Sequence, residues 1–114
     1  MGRSTRQVID DHLSGVASLE PAAMAADYAP DAELVRGGDR YAGREAILDY
    51  FGTVPARLAG GTVDVYRVDV DGERGTIWWR LVGGPGDGSS GRDDVWVRDG
   101  MITLQRVHLD DRDF

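Results

Sequence analysis

Between Ser4 and about Ser18 the apolar residues Val8, Ile9, Leu13, Val16 and Ala17 recur at the spacing of one helical face, with Ser4 placed to cap it. His12 lies on the same stripe, four residues from both Val8 and Val16, so its ring should point toward the core. A second, short helix is predicted from Glu20 or Pro21 to Tyr28, proline being tolerated in a first turn. Pro30 cannot continue that helix and pushes its predecessor toward extended geometry. Ala32 to Arg36 then reads as a strand broken by Gly37 and Gly38. Gly43 opens a further helix with Glu45 in its first turn, and Ile47, Leu48, Phe51 and Leu58 are its core-facing positions.

The second half reads as strands. In 62–71 the apolar parity slips between Val63/Val65 and Tyr66/Val68/Val70, which predicts a β-bulge. Asp71-Gly72 signals a hairpin into 75–82, where apolar residues including Trp78 and Trp79 occupy both parities, so both faces should be covered. The run GGPGDGSSG over 83–91 has the composition of a flexible connection. Strands follow at 92–98 and 101–109 about the turn Asp99-Gly100, and DDRDF reads as an acidic tail. On the first of these strands Asp94, Trp96 and Arg98 share a face. On the second, Thr103, Gln105, Val107 and Leu109 share one face, opposite Leu104, Arg106 and His108. Three helices followed by a meander imply an α+β architecture, a single domain over residues 1–114.

Composition narrows the chemistry. With no cysteine, thiol nucleophiles, disulfides and thiolate metal sites are excluded; with no lysine, so are Schiff bases and a phosphate-loop lysine. The net charge is −7 and no basic run occurs, so nucleic acid is not an expected partner. No apolar run is long enough to span a bilayer, and the expectation is a soluble cytoplasmic protein without membrane association. A metal site is not expected either, because His12 and His108 fall on opposite sides of the sheet and no paired-carboxylate spacing occurs.

The segments YAPDAELV, YAGREAILDYF and DDVWVRDGMITLQRVHLD, in this order, resemble the NTF2-like superfamily, in particular its small SnoaL-like and ketosteroid-isomerase-like members. The resemblance spans nearly the whole chain and implies a cone made by three N-terminal helices packed on a curved antiparallel sheet. It leaves activity open among isomerases, polyketide cyclases, dehydratases, epoxide hydrolases and non-catalytic members. In the isomerase pattern His12 falls at the position of a hydrogen-bonding tyrosine and Asp94 at that of a protonated aspartic acid. Arg36 occupies the position of the aspartate base, and a guanidinium cannot serve as one. In the limonene-epoxide-hydrolase pattern Arg92-x-Asp94 resembles an Arg-x-Asp pair, while Val107 replaces a further aspartate.

These readings place a cofactor-free, metal-free site in an apolar cone. His12, Asp94 and Arg36 are the expected catalytic residues, and Tyr28, Phe51, Trp96, Gln105, Val107 and Leu109 the expected substrate-binding ones. His12 and Asp94 would exchange protons with a small apolar organic substrate, and Arg36 would stabilise an enolate or hold an anionic group. The plain structural alternative makes His12 a buried histidine with a local hydrogen bond and Asp93 a solvated surface charge. The functional expectation is cyclase or isomerase chemistry. Epoxide opening through Asp94 and Arg92, or ligand binding without turnover, are the alternatives. A homodimer through the outer sheet face is expected from the second apolar face of 75–82.

Overall fold

The computed structural model describes residues 2–110, so residues 111–114 of the acidic tail lie outside the described residues. Helix α1 (Thr5–Ser18) starts in a capping box: the Ser4 hydroxyl accepts from the Gln7 N–H while the Gln7 side chain accepts from the Ser4 N–H. Helix α2 (Pro21–Ala25) is shorter than its sequence predicts, and Tyr28 begins strand β1 (Tyr28–Arg36) instead of ending a helix. Pro30 sits where the ladder is interrupted, its missing N–H falling between the paired residues Tyr28 and Glu33.

Gly37 and Gly38 make a two-residue turn into β2 (Asp39–Ala42), a strand that carries no apolar alternation and is invisible to pattern. Helices α3 (Arg44–Gly52) and α4 (Val54–Leu58) divide at Thr53, just before Pro55. Among the described residues there are thus four helical segments where three were expected, and Leu48, read as core-facing, is exposed.

Strands β3 (Thr62–Asp71), β4 (Arg74–Val82), β5 (Ser90–Arg98) and β6 (Met101–Leu109) form the meander. The expected bulge in β3 appears as a register shift between Val65 and Arg67. The sheet runs β2-β1-β6-β5-β4-β3. Its neighbours are antiparallel except β1 and β6, which pair in parallel, a pairing that the long connection over residues 37–100 permits. The fold is therefore α+β with a mixed six-stranded sheet.

The helices pack on one face of this sheet, where Ile9, Met24, Leu34, Ile47, Ile77 and Val95 are fully or almost fully buried. Two glycines set this packing. A Cβ on Gly15 would lie 2.5 Å from the Ala23 carbonyl oxygen, so glycine lets α1 and α2 touch backbone to backbone. A Cβ on Gly91 would lie 2.5 Å from Trp79 Cζ2, so the indole lies directly over the β5 backbone.

Candidate functional site

The close approach of α1 and α2 brings the His12 ring under α2, with Nδ1 3.1 Å from the Met24 carbonyl oxygen. A carbonyl only accepts, so Nδ1 carries the hydrogen and Nε2 is the lone-pair nitrogen. The ring stands edge-on to Tyr28 and against Phe51. Burial pushes its pKa down to about 4, against smaller opposing pulls from Asp27 and the Met24 carbonyl. Near neutral pH His12 is uncharged. The local-hydrogen-bond geometry anticipated as the structural alternative is present, and His12 also lies on the wall of a cavity.

That cavity, about 90 Å³, is lined by α1, α3 and the concave face of the sheet and is open on one side. Its polar points are His12, Arg36, Tyr50 and Asp93, and its apolar walls include Phe51, Trp79, Val107 and Leu109. Arg36, the last residue of β1, is buried and stands beside Val107 in the parallel ladder. Tyr50 has its pKa raised by burial, with the charges of Arg57 and Arg36 pulling against the rise.

The carboxylate in the cavity is Asp93, where Asp94 was expected. As a residue Asp93 is only half buried, but its carboxylate accepts from Trp79 Nε1 at 3.0 Å on one oxygen and from Gln105 Nε2 at 2.9 Å on the other. The Tyr28 hydroxyl in turn donates to Gln105 Oε1, which fixes the amide orientation. Burial pushes Asp93 up to about 6; the Trp79 and Gln105 hydrogen bonds pull the other way, and the Asp94 charge adds slightly to the rise. Among the described residues, no group of three or more His, Asp or Glu side chains is arranged to hold a metal ion.

Asp94 lies on the outer face of the sheet. Its carboxylate accepts from the Thr76 hydroxyl at 2.9 Å and stands 3.4 Å from Arg74, 3.9 Å from Arg92 and 3.2 Å from His108 Nε2. Burial alone would raise its pKa, but Thr76 and the Arg74 and Arg92 guanidinia together hold it below the usual carboxylate range. The Arg92–Asp94 pair expected for epoxide opening is therefore directed away from the cavity, and Arg92 is exposed. Trp96 is likewise on the outer side, with the Arg74 guanidinium 5.2 Å above its ring.

The remaining expected positions face inward: Phe51, Val107 and Leu109 on the cavity wall, and Tyr28 and Gln105 one layer behind it, reaching Asp93 by hydrogen bonds. Trp79, Tyr50 and Asp93 were missed. For Asp93 the signal was in β5 itself: Gly91, Asp93, Val95 and Val97 share one parity, Arg92, Asp94, Trp96 and Arg98 the other, and three charges in four mark the second as the solvent side. The register agrees, because Asp93 pairs with Val107 and Val95 with Gln105, and directly paired residues share a face.

A curved mixed sheet closed by helices over a small apolar cavity, with a carboxyl group inside it, defines the cone class of α+β domains. Residues 9–105 match the SnoaL-like domain, and the chain belongs to that family. Among solved structures it is similar to an NTF2-like protein of unknown function from Mesorhizobium loti, with a TM-score of 0.82, 23% identity, and coverage of 93% of this chain and 90% of that one. A protein of Sinorhizobium meliloti provisionally assigned as a polyketide cyclase gives 0.76 at 22% identity, covering 90% of this chain and 94% of that one. A provisionally assigned SnoaL-like isomerase from Agrobacterium tumefaciens gives 0.77 at 18%, covering 92% and 96%. These likenesses establish the NTF2-like fold. Comparison with curated proteins gives no match.

Proposed function

We propose that the chain is a cofactor-independent enzyme acting on a small, largely apolar organic molecule by general acid/base chemistry of the cyclase or isomerase type, with Asp93 as the proton-transfer group. The observation that carries this reading is a carboxylate aimed into an apolar cavity, both oxygens held by neutral donors and its pKa pushed up to about 6. Such a group is mostly ionised at pH 7 yet basic enough to remove a proton next to a carbonyl. Arg36 supplies positive charge at the cavity wall for a developing enolate. His12, neutral and anchored to Met24, accepts a hydrogen bond and does not exchange protons near neutrality, which revises its expected role. The provisional cyclase and isomerase assignments of two structural neighbours are compatible with this reaction class.

The test is deuterium incorporation from D₂O into small enolisable cyclic ketones, followed by mass spectrometry. Exchange that falls at least about 100-fold in Asp93→Asn, the usual scale of a lost general base, supports the reading. Equal exchange in both proteins overturns it. A second reading, ligand binding without turnover, is favoured by the uncharged, anchored state of His12; it predicts saturable binding with no exchange at all.

A further inference from the structure

A second cavity, of about 140 Å³, lies beyond the first between α1 and β3. The two share Leu13 and Val16 of α1 and Val63 and Val65 of β3 as walls. All four side chains are only half buried, and together they form an aliphatic partition between the two spaces. The outer cavity adds Ala17, Leu19, Leu58 and Thr62, and contains no charged group. A cavity of about 150 Å³ is enough to hold benzene. The inner 90 Å³ is therefore at the lower limit for a single ring, and the space across the partition gives a longer molecule apolar room into which to extend.

The inner end dictates the polar group. His12 presents an acceptor, since Nδ1 is committed to Met24; each Asp93 oxygen already receives one donor and keeps a lone pair, and Arg36 and Tyr50 line the same space, so a hydroxyl that donates to His12 can also accept from them. A ligand head group satisfies His12 by donating a hydrogen bond.

We propose that the ligand is a ring-sized phenol or enol bearing an aliphatic chain: its hydroxyl donates to His12 Nε2 in the inner cavity, and its chain passes between Leu13, Val16, Val63 and Val65 into the outer one. This rests on the reading of the inner cavity as the ligand site and adds the substrate class and the path of its chain.

The experiment is calorimetric titration with phenol and with 4-ethyl-, 4-butyl- and 4-hexylphenol. Each methylene that enters the outer cavity should tighten binding by about fourfold, the usual gain for moving a CH₂ out of water. Ala17→Trp changes an exposed residue that lines only the outer cavity, and should leave phenol affinity unchanged while abolishing the gain with chain length. The corresponding methyl ethers, which cannot donate, should bind at least about tenfold more weakly. Phenol binding with no gain along the series, or a gain that survives Ala17→Trp, overturns this inference and leaves the inner site standing. Methyl ethers that bind as tightly as the phenols overturn the head-group assignment. Absence of binding by every member overturns both this inference and the reading of the inner cavity as a ligand site.

Discussion

Asp93 and His12 are two buried titratable side chains displaced in opposite directions, and stability should report both. His12 is held near 4 in the fold against about 6.5 unfolded, so the folded state binds fewer protons; its contribution is whole above pH 6.5 and is lost as pH falls toward 4. Asp93 is held near 6 against about 3.8 unfolded, so its ionised form destabilises the fold above pH 6 and that cost is relieved on acidification. Each effect is about 3 kcal/mol at full extent, from roughly 1.4 kcal/mol per pH unit of displacement. Between pH 4 and 6 they largely cancel. Asp93→Asn removes one of them but turns an amide NH₂ toward the Trp79 or Gln105 donor, so the readout is the pH dependence: urea unfolding of this variant should lose stability more steeply on acidification than the parent. Parallel curves for parent and variant would contradict the burial of the Asp93 carboxylate. Asp94→Asn offers the complementary test: it should leave ketone exchange within about twofold of the parent, since Asp94 lies on the far side of the sheet, and a loss as large as that of Asp93→Asn would place the active carboxylate at Asp94 after all.

At the scale of elements, the site depends on two contacts that only glycine permits. Gly15→Ala would drive a methyl group into the Ala23 carbonyl, part α1 from α2 and loosen the His12–Met24 hydrogen bond. A loss of about 1–3 kcal/mol, the usual range for overpacking, is expected in thermal or urea unfolding, and an unchanged midpoint would mean that the helices part freely. The elements themselves were largely legible. The α1 stripe, the β3 bulge, the Asp99-Gly100 turn and the limits of β6 follow from periodicity and turn chemistry, which are local. Strand β2 was not legible, because its pairing with β1 and not its own pattern makes it a strand. The parallel β1–β6 ladder was hidden as well, since strand direction is a long-range property. The carboxylate was misplaced for another reason. Alignment by resemblance can slide one residue along DD, and one residue turns a strand's side chains to the opposite face; the charge count on the two parities of β5 resolves the choice in favour of Asp93.

For the molecule as a whole, the outer face of the sheet is the surface still to be accounted for. Trp78 lies under the Arg67 guanidinium at 4.5 Å, Trp96 under Arg74, and Tyr66 under Arg80, while Asp64, Asp69 and Asp94 pair with neighbouring arginines. Aromatic rings and arginines are residue types enriched at protein interfaces, and this face carries both on a chain without lysine. A surface carrying both signs of charge is also self-complementary about a two-fold axis, where each copy's arginines meet the other's carboxylates. A second copy of the chain is therefore the partner we propose for this face. Sedimentation velocity at micromolar concentration should give a dimer, and Trp78→Glu, which places a charge beside Arg67 on the outer side, should give a folded monomer whose cavity still binds phenol. A monomeric parent at high concentration would remove the dimer. A dimer that persists in Trp78→Glu would move its interface off this face, without touching the inner site on the opposite side of the same strands.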